Sequence, residues 1–289
     1  MASFRPLTDA YGLPIGKRRT PGDGSRAGPL GLPWQLELIG LPLILLLLIP
    51  LVALLVRTPL ALLSTYFTDA RTLAAIRLSL LTSLAGTAAV VILGTPLAYG
   101  LVRRRTRLNR AMEVLLDLPI VLPPAVAGLA LLMAFGRRGV FGAALAGLGL
   151  QIPFTPLAVV LAQVFVGAPY FIKTAGVALG AVSVDLEQAA ALDGASTSNI
   201  LRHVTFPLAA RGLLSGAALC WARALGEFGA TILFAGNLPG RTQTMPLAVY
   251  LGFESDLALA QTLSVILLGV SILILIAVRL LAGSPNGVE

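Results

Sequence analysis

Arg223 and Glu227 lie well inside an apolar segment, residues 208–236, where charged side chains are rare. A spacing of four residues puts both on one face of a helix, where they can form an ion pair. A charge at the centre of a bilayer costs at least about 2.5 kcal/mol, so such residues usually face a bundle interior or a water-filled path. Two roles therefore stay open for the pair: mutual neutralisation, or part of a translocation pathway or gate.

Nucleophilic and metal-assisted chemistry have few residues to use in this chain. His203 is the only histidine and falls in a polar loop, and Cys220 is the only cysteine. These counts exclude a Ser-His-Asp arrangement in the membrane, a zinc site and an intramolecular disulfide. A P-loop needs Gly-Lys followed by Ser or Thr, but Lys17 is followed by arginine and Lys173 is preceded by isoleucine. We expect a chain that is not an enzyme and that itself binds no metal, nucleotide or other cofactor.

The composition indicates where the chain resides. Hydrophobic residues make up 57% of it and charged residues 12%. Soluble domains carry about 25% charged residues, so this composition predicts an all-α integral membrane protein. A net charge of +8 would suggest nucleic acid as the partner of a soluble protein. In a membrane protein the positions of Lys and Arg matter more, so the expected surroundings are a lipid bilayer and nucleic acid is not an expected partner.

Apolar runs predict six transmembrane helices, each near the roughly 20 residues that cross a bilayer. Their expected bounds are 38–56, 78–102, 114–135, 156–179, 208–236 and 257–279. Together they form a predicted membrane domain of residues 36–282. Residues 1–35 are rich in Gly, Pro and Arg without apolar periodicity, and are predicted to be a disordered cytoplasmic tail.

The distribution of Lys and Arg orients the predicted helices. Fourteen lie in the tail and in the segments that share its side of the membrane, against six on the other side. Such an excess marks the cytoplasmic side, so both termini are expected in the cytoplasm. Asp117 is then expected at the cytoplasmic start of the third helix, where an acid favours the helix dipole. Arg137 and Arg138 fall on the outer side, either as contacts for an anion or acidic patch or as an ordinary interfacial pair.

The most polar long block between two apolar segments is residues 186–207, LEQAAALDGASTSNILRHVTFP. It is too polar to cross a bilayer. Asp185 is a suitable N-cap for a helix, with Gln188 three residues on, and three successive alanines favour the helical conformation. Gly194 is suited to end this helix after about two turns, because glycine is the commonest residue where a helix stops.

A second short helix is expected to start at Ser196 and to run to about Val204. Pro207 then opens the next membrane helix, since proline is tolerated in a first turn. Residues 185–207 are therefore predicted to form a compact helix–turn–helix protrusion between two membrane helices. The distribution of basic residues places this protrusion in the cytoplasm, where another protein can reach it.

The spacing within this protrusion resembles a signature of the membrane subunits of binding-protein-dependent ABC importers. That signature reads Glu-Ala-Ala, three residues, Gly, nine residues, an aliphatic residue, one more residue and Leu-Pro. Gln188 stands at the usual Glu position, with Glu187 one place earlier, and Phe206 stands for Leu. One residue turns a side chain about 100° around a helix, so Glu187 is not a simple substitute for that acid.

The resemblance implies the type I ABC importer permease fold, with six transmembrane helices. It also implies that this loop couples the chain to a separate ATPase subunit. The residues expected to take part in that coupling are Glu187, Gln188, Ala189, Ala190, Gly194 and Pro207.

Two further blocks narrow the resemblance to the molybdate and sulfate branch of these permeases. They are residues 118–142, with a Gly-Arg-Arg-Gly loop, and residues 222–250, with GEFGAT and an Asn-x-Pro-Gly-x-Thr segment. Together they are most similar to molybdate permeases. The resemblance implies a homodimer in a bacterial inner membrane and two copies of an ATP-binding cassette ATPase that hold ATP and Mg. It also implies an extracytoplasmic binding protein that delivers the oxyanion.

Inward movement of molybdate by alternating access is therefore the expected function. Residues assigned hypothetically to the pathway or gate are Arg223, Glu227, Asn237 and Thr242. Arg137 and Arg138 are the hypothetical outer contacts for the anion or the binding protein. A permease for sulfate, thiosulfate or tungstate is the alternative within the family. A secondary transporter driven by an ion gradient is the alternative outside it, although only Glu227 is a well-embedded acid.

Overall fold

A computed structural model describes residues 34–59, 65–66, 68–104 and 106–282 of the chain. Within these ranges the chain is almost entirely helical and has no β-strand. The predicted tail, residues 1–35, lies outside the described residues except for its last two. The helices, with a π-helical turn at Leu201–Thr205, are α1 Trp34–Arg57, α2 Ala70–Arg103, α3 Arg107–Val121, α4 Pro124–Phe135, α5 Gly142–Gly147, α6 Pro156–Gly180, α7 Val184–Leu192, α8 Thr197–Ile200, α9 Phe206–Leu225, α10 Gly229–Phe234, α11 Met245–Ser255 and α12 Leu257–Ala282.

Five of the described helices are long and apolar enough to cross a membrane, and a sixth span results if the bent pair α3–α4 is counted as one. The all-helical membrane class expected from the sequence is therefore confirmed. Three of the predicted spans, 38–56, 156–179 and 257–279, fall within α1, α6 and α12. The other three differ from the structure in ways that have identifiable causes.

The centre of the bundle is formed by α2, α6 and α9, which pack against one another. Phe171 and Leu179 of α6 are fully buried there. Glycine allows α9 to approach α6 closely, because a Cβ at Gly212 would collide with the side chain of Ala178. Gly216, one turn further on, packs against Phe171. Small residues at such positions are the usual means by which membrane helices come into close contact.

The second and third predicted spans are corrected by capping and by proline. The predicted second helix, 78–102, begins earlier, at Ala70, because the Asp69 carboxylate accepts a hydrogen bond from the Thr72 N–H at 2.9 Å and caps the first turn. The predicted third helix, 114–135, is two helices, and the axes of α3 and α4 differ by 116°. The chain breaks at Pro123 and Pro124, since proline has no N–H and restricts the residue before it.

The expected placement of Asp117 at the start of a helix is wrong. Thr106 caps the start of α3, and Asp117 lies in the last turns of that helix. Its carboxylate pairs with the Lys173 ammonium of α6 at 2.7 Å, and both side chains are about half exposed, at 42% and 56%. Asp117 therefore joins two helices and does not stabilise a helix dipole.

The fifth predicted span, 208–236, is also interrupted. Helix α9 ends at Leu225, and α10 begins at Gly229 after a break at residues 226–228. Gly226 precedes Glu227 in this break and Gly229 opens α10, and glycine weakens a helix by about 1 kcal/mol relative to alanine. The interruption places the Glu227 carboxylate at the start of a new helix, where a negative charge is favoured.

In the predicted loop, residues 185–207, the helix–turn–helix is present but its cap and its exit differ from expectation. Ser183 caps α7 through its hydroxyl, which accepts from the Asp185 N–H at 3.2 Å, so Asp185 is not the N-cap. Gly194 ends the helix with φ +87°, as expected for a glycine stop. Ser196 caps α8, as predicted.

The second short helix does not stop at Val204 but continues into α9 through the π-helical turn. The Phe206 N–H reaches back five residues to the Leu201 carbonyl. In a regular α-helix the ring of Pro207 would clash with the carbonyl four residues earlier. The extra residue of the π turn widens the helix and places Pro207 in the first turn of α9, where proline is tolerated.

Candidate functional site

The predicted protrusion is formed by the segment from α7 to the π turn, residues 184–205, which extends from one end of the helical bundle. None of the side chains of α7 is buried. Leu192 is 89% exposed and Leu186 51% exposed, although apolar side chains of this size are usually covered. Helix α7 thus presents an apolar surface with nothing of the described chain upon it.

Most of the predicted coupling residues are exposed, on α7 or in the residues that follow it. Gln188, Ala189 and Pro207 are exposed, and Ala190 is half-buried. Within the described part of the chain the Gln188 amide makes no hydrogen bond, so it is available to a partner. Gly194 has open space around its Cα, so its requirement for glycine comes from the backbone and not from crowding.

Glu187 is the exception, because its side chain turns towards the bundle and is only 12% exposed. Its Oε1 accepts two hydrogen bonds, one from Arg103 Nη2 and one from the Thr205 hydroxyl, both at 2.7 Å. Arg103, at the last residue of α2, also donates to the Val182 carbonyl at 3.2 Å, and its guanidinium lies over the Tyr99 ring. We call Arg103, Glu187 and Thr205 the loop clamp.

The pair Arg223–Glu227 forms as the spacing predicts, with 2.8 Å between Arg223 Nη1 and Glu227 Oε2. The Glu227 side chain is 1% exposed, whereas that of Arg223 is 29% exposed. The second carboxylate oxygen of Glu227 accepts from the Ala230 N–H at 2.8 Å, in the first turn of α10. The buried carboxylate is therefore satisfied by one cation and one backbone donor, and it fixes the break between α9 and α10.

Asn237 and Thr242 lie in the turn that follows α10. The Asn237 amide donates to the Leu247 carbonyl at 3.4 Å, and the Thr242 hydroxyl accepts from the Leu238 N–H at 3.1 Å. Gly240, between them, has φ +72°, a conformation that favours glycine. Both polar side chains therefore hold the turn in shape.

At the end of the bundle opposite the protrusion, Arg137, Gln151 and Arg241 line a cavity of about 810 Å³ together with Phe154. Arg137 donates to the Gln151 Oε1 at 2.8 Å. Phe154 has φ +61°, a backbone conformation that bulky residues rarely adopt. Neither Arg137 nor Arg241 forms an ion pair with any residue that the structure describes. Arg138 is exposed nearby and does not line the cavity.

Sequence reasoning missed Arg103, Thr205, Gln151 and Arg241. Arg103 and Glu187 are 84 residues apart, and Arg137 and Arg241 come together only because α4 and α10 end on the same side of the bundle. No local spacing connects such residues. The single available signal was the position of Arg103 at the end of a long apolar run, which does not identify its partner.

Comparison with known proteins gives a consistent result. A family model described as "Binding-protein-dependent transport system inner membrane component" matches residues 90–283. The molybdenum transport system permease protein ModB of Mycobacterium tuberculosis is 41% identical over 261 residues, which are 90% of this chain and 98% of that protein. The sulfate transport system permease protein CysT of Synechocystis is 33% identical over 256 residues, 87% of this chain and 89% of that protein.

A solved structure shares the fold. A chain from the crystal structure of a bacterial alginate ABC transporter, in complex with an alginate pentasaccharide-bound periplasmic protein, superposes with a TM-score of 0.68. The match covers 86% of this chain and 94% of that chain at 16% sequence identity. At this identity the likeness concerns the arrangement of the helices alone.

Proposed function

The chain belongs to the family of binding-protein-dependent transport system inner membrane components, and on that premise we propose that it is the permease subunit of an ATP-driven molybdate importer. It has the type I fold of ABC importer permeases. In such transporters the ATPase is a separate subunit, so this chain is a transport subunit and not an enzyme. Its partners are an ATPase and a substrate-binding protein, and it spans the bacterial inner membrane.

The choice of molybdate is supported by the relatives. The protein of 41% identity over 90% of the chain is named for molybdenum transport, and the sulfate permease is less similar, at 33%. Molybdate, tungstate and sulfate are all tetrahedral dianions. Sulfate is the second candidate because the sulfate permease matches nearly the same length of chain.

The observation that carries coupling to an ATPase is the exposed apolar surface of α7. Leu192 points away from its own chain, and Gln188 offers an amide without a partner in the described residues. A capped helix that carries an exposed apolar side chain in its last turn suits insertion into a groove of another protein. The energy of ATP hydrolysis, with ATP and Mg held by the ATPase, enters this chain through that contact.

Alternating access follows if two copies of the chain form a homodimer with two ATPase subunits. Closure of the ATPase pair around ATP draws the two protrusions together and opens the opposite end of the permease. Hydrolysis and release reset the state that is open at the protrusion end. The excess of Lys and Arg supports a cytoplasmic position for the protrusion and both termini, and with that orientation the cycle moves the anion inward.

Arg223, Glu227, Asn237 and Thr242 are proposed to shape the pathway or its gate. Glu227 fixes the break between α9 and α10, and Thr242 fixes the turn after α10. Arg223 is 29% exposed and is the member of the ion pair that a passing anion can reach. A role in the gate then means that the anion competes with Glu227 for the Arg223 guanidinium.

At the outer end, Arg137 and Arg138 are proposed to receive the loaded binding protein. The cavity between Arg137 and Arg241 is far larger than one tetrahedral anion and contains an exposed aromatic ring, Phe154. Arginine and aromatic residues are enriched where proteins bind each other tightly. An acidic surface of the binding protein is the complement that this cavity favours.

The decisive experiment is ATP hydrolysis by the permease in liposomes with its ATPase, after addition of external binding protein loaded with molybdate, tungstate or sulfate. We expect stimulation by the molybdate-loaded and tungstate-loaded binding proteins, with uptake of radiolabelled molybdate. Stimulation by the sulfate-loaded protein alone would retain the architecture and replace the substrate. Absence of any complex with an ATPase would reject the proposal in favour of a secondary transporter.

The contact surface is tested by Leu192→Asp, which places a charge on an 89% exposed position and removes little packing within the described chain. We expect the ATPase to be lost from the purified complex while the permease keeps its thermal stability. Leu148→Asp is the matched control, because Leu148 is 73% exposed at the opposite end. Equal retention of the ATPase by both variants would show that α7 is not the docking surface.

A further inference from the structure

We propose that Glu187 is a positioning residue that fixes the protrusion to the ends of α2 and α9, and that its carboxylate does not bind the ATPase. This inference rests on the proposed function, because it concerns how the coupling loop works. It separates two neighbouring polar residues by role: Gln188 faces the partner, and Glu187 holds the loop.

The geometry of the carboxylate supports this division. Oε1 of Glu187 already accepts two short hydrogen bonds, from Arg103 and Thr205, and the side chain is 12% exposed. A charge-assisted bond from arginine is among the stronger hydrogen bonds in proteins. Gln188 lies about 100° further around α7 and is exposed. A partner that docks on the outer face of α7 therefore reaches Gln188 and not the atoms that Glu187 uses.

The clamp closes the protrusion into a ring. Glu187 lies near its start and Thr205 at its end, 18 residues later, and the hydroxyl of fully buried Thr205 joins the two. Arg103 adds the end of α2, which is 84 residues away in sequence. A force applied to α7 is then passed to two membrane helices at once.

Without the clamp, two features of the protrusion would allow it to bend. One is Gly194, whose positive φ marks a turn without side-chain support. The other is the π-helical turn at Leu201–Thr205, a type of local irregularity common at functional sites. Because Thr205 ends the π turn and bonds to Glu187, the clamp holds this second position closed.

The test is a double-mutant cycle in the reconstituted transporter, with Glu187→Gln, Arg103→Met and the double variant. Both single variants are expected to retain the ATPase in the purified complex and to hydrolyse ATP. The amount of molybdate taken up per ATP hydrolysed is expected to fall about fivefold in each, the lower end of measured couplings between sites. Because both residues act through one contact, the double variant is expected to fall no further than either single variant.

Two further variants complete the test, one as a control and one as a second probe of the clamp. Asp185→Asn removes an exposed carboxylate two residues before Glu187 on the same helix, and should leave the ratio unchanged. Thr205→Val removes only the hydroxyl and should lower the ratio less than Glu187→Gln, which tests the clamp if the charged variants do not fold.

Three results would overturn the inference. Loss of the ATPase from the Glu187→Gln complex, with retention by Arg103→Met, would show that Glu187 binds the partner directly. An unchanged ratio in all variants would show that the clamp has no part in coupling, and a double variant with multiplied effects would show that the two residues act separately. If the wild-type chain neither retains an ATPase nor takes up molybdate, the proposed function fails instead.

Discussion

Two ion pairs of almost equal length, Arg223–Glu227 at 2.8 Å and Arg103–Glu187 at 2.7 Å, differ in how the fold makes them. The first joins residues four apart, at the end of one helix. The second joins the end of α2 to α7, with 84 residues between. A local pair stabilises only its own stretch of chain, here the end of α9 and the start of α10, whereas a pair between distant elements holds those elements together. Similar chemistry thus stabilises local structure in one place and links distant elements in the other.

The two pairs also differ in burial. Glu227 is 1% exposed and Glu187 is 12% exposed. A charge left alone costs more the less water can reach it. The local pair is therefore expected to matter more for stability and the long-range pair more for coupling. Four variants, in order of decreasing effect on stability, test this separation.

Glu227→Ala is expected to have the largest effect. It leaves Arg223 without its partner and the Ala230 N–H without its acceptor, in a site almost closed to water. Removal of one member of a buried pair typically costs about 3–5 kcal/mol. The midpoint of thermal unfolding in detergent should fall accordingly. The control is the double variant Arg223→Met, Glu227→Met, which should recover part of the fall in the unfolding midpoint because no charge is then buried alone. A double variant as unstable as Glu227→Ala would contradict this account.

Arg103→Met is expected to destabilise the chain less, by about 2 kcal/mol, the cost of losing a charged hydrogen bond. Glu187 keeps its bond from Thr205 and some contact with water, which limits the loss. The midpoint of thermal unfolding in detergent and the molybdate taken up per ATP hydrolysed are both measured for this variant. A loss of stability equal to that of Glu227→Ala, with coupling intact, would erase the distinction between the two pairs.

The two ion pairs also show which contacts can be predicted from the sequence and which cannot. Arg223–Glu227 was predicted because helix geometry fixes which residues four apart are neighbours. Arg103–Glu187 was not, because only the packing of α2 beside the protrusion brings them together. Glu187 stands one place before the signature residue in the sequence, but the inward direction of its side chain depends on that packing.

The protrusion shows the same limit on a smaller scale. Gly194 and Ser196 were predicted correctly, since a positive φ and an N-cap are local requirements. Asp185 was predicted as a cap and Ser183 is the cap, because both residue types can cap and the path out of α6 selects between them. The break at Pro123 could have been predicted from the two adjacent prolines. The π turn before Pro207 could not, because a chain can avoid the clash of the proline ring with the preceding helical turn in two ways, by a π turn or by ending the helix.

Lys173→Met tests whether burial or separation in sequence decides how much an ion pair contributes to stability. Lys173 and Asp117 join α6 to α3 across 56 residues of chain, yet their side chains are 56% and 42% exposed. Exposed pairs typically contribute less than about 1 kcal/mol and are weakened by salt. We expect a small fall in the unfolding midpoint at low ionic strength that vanishes at high ionic strength. A loss as large as that of Arg103→Met would show that linking two helices matters more than burial.

Tyr66→Phe is expected to have the smallest effect, and pH should control it. The Tyr66 hydroxyl donates to Asp256 Oδ2 at 2.7 Å, outside the membrane-spanning helices, and this bond is the main cause of the lowered pKa of Asp256. Because the pKa of Asp256 is lowered, the bond stabilises the folded state at pH values above the ordinary Asp pKa of about 3.9. This stabilisation is lost as the pH falls through the lower pKa of the folded state. The bond also raises the pKa of Tyr66, so the contribution is lost again at strongly alkaline pH. The difference in unfolding midpoint between wild type and variant should therefore narrow as the pH is lowered from 7 to 3. A difference that stays constant over this range would mean that the carboxylate of Asp256 takes no part in it, and that contacts of the Tyr66 ring hold this end of the bundle.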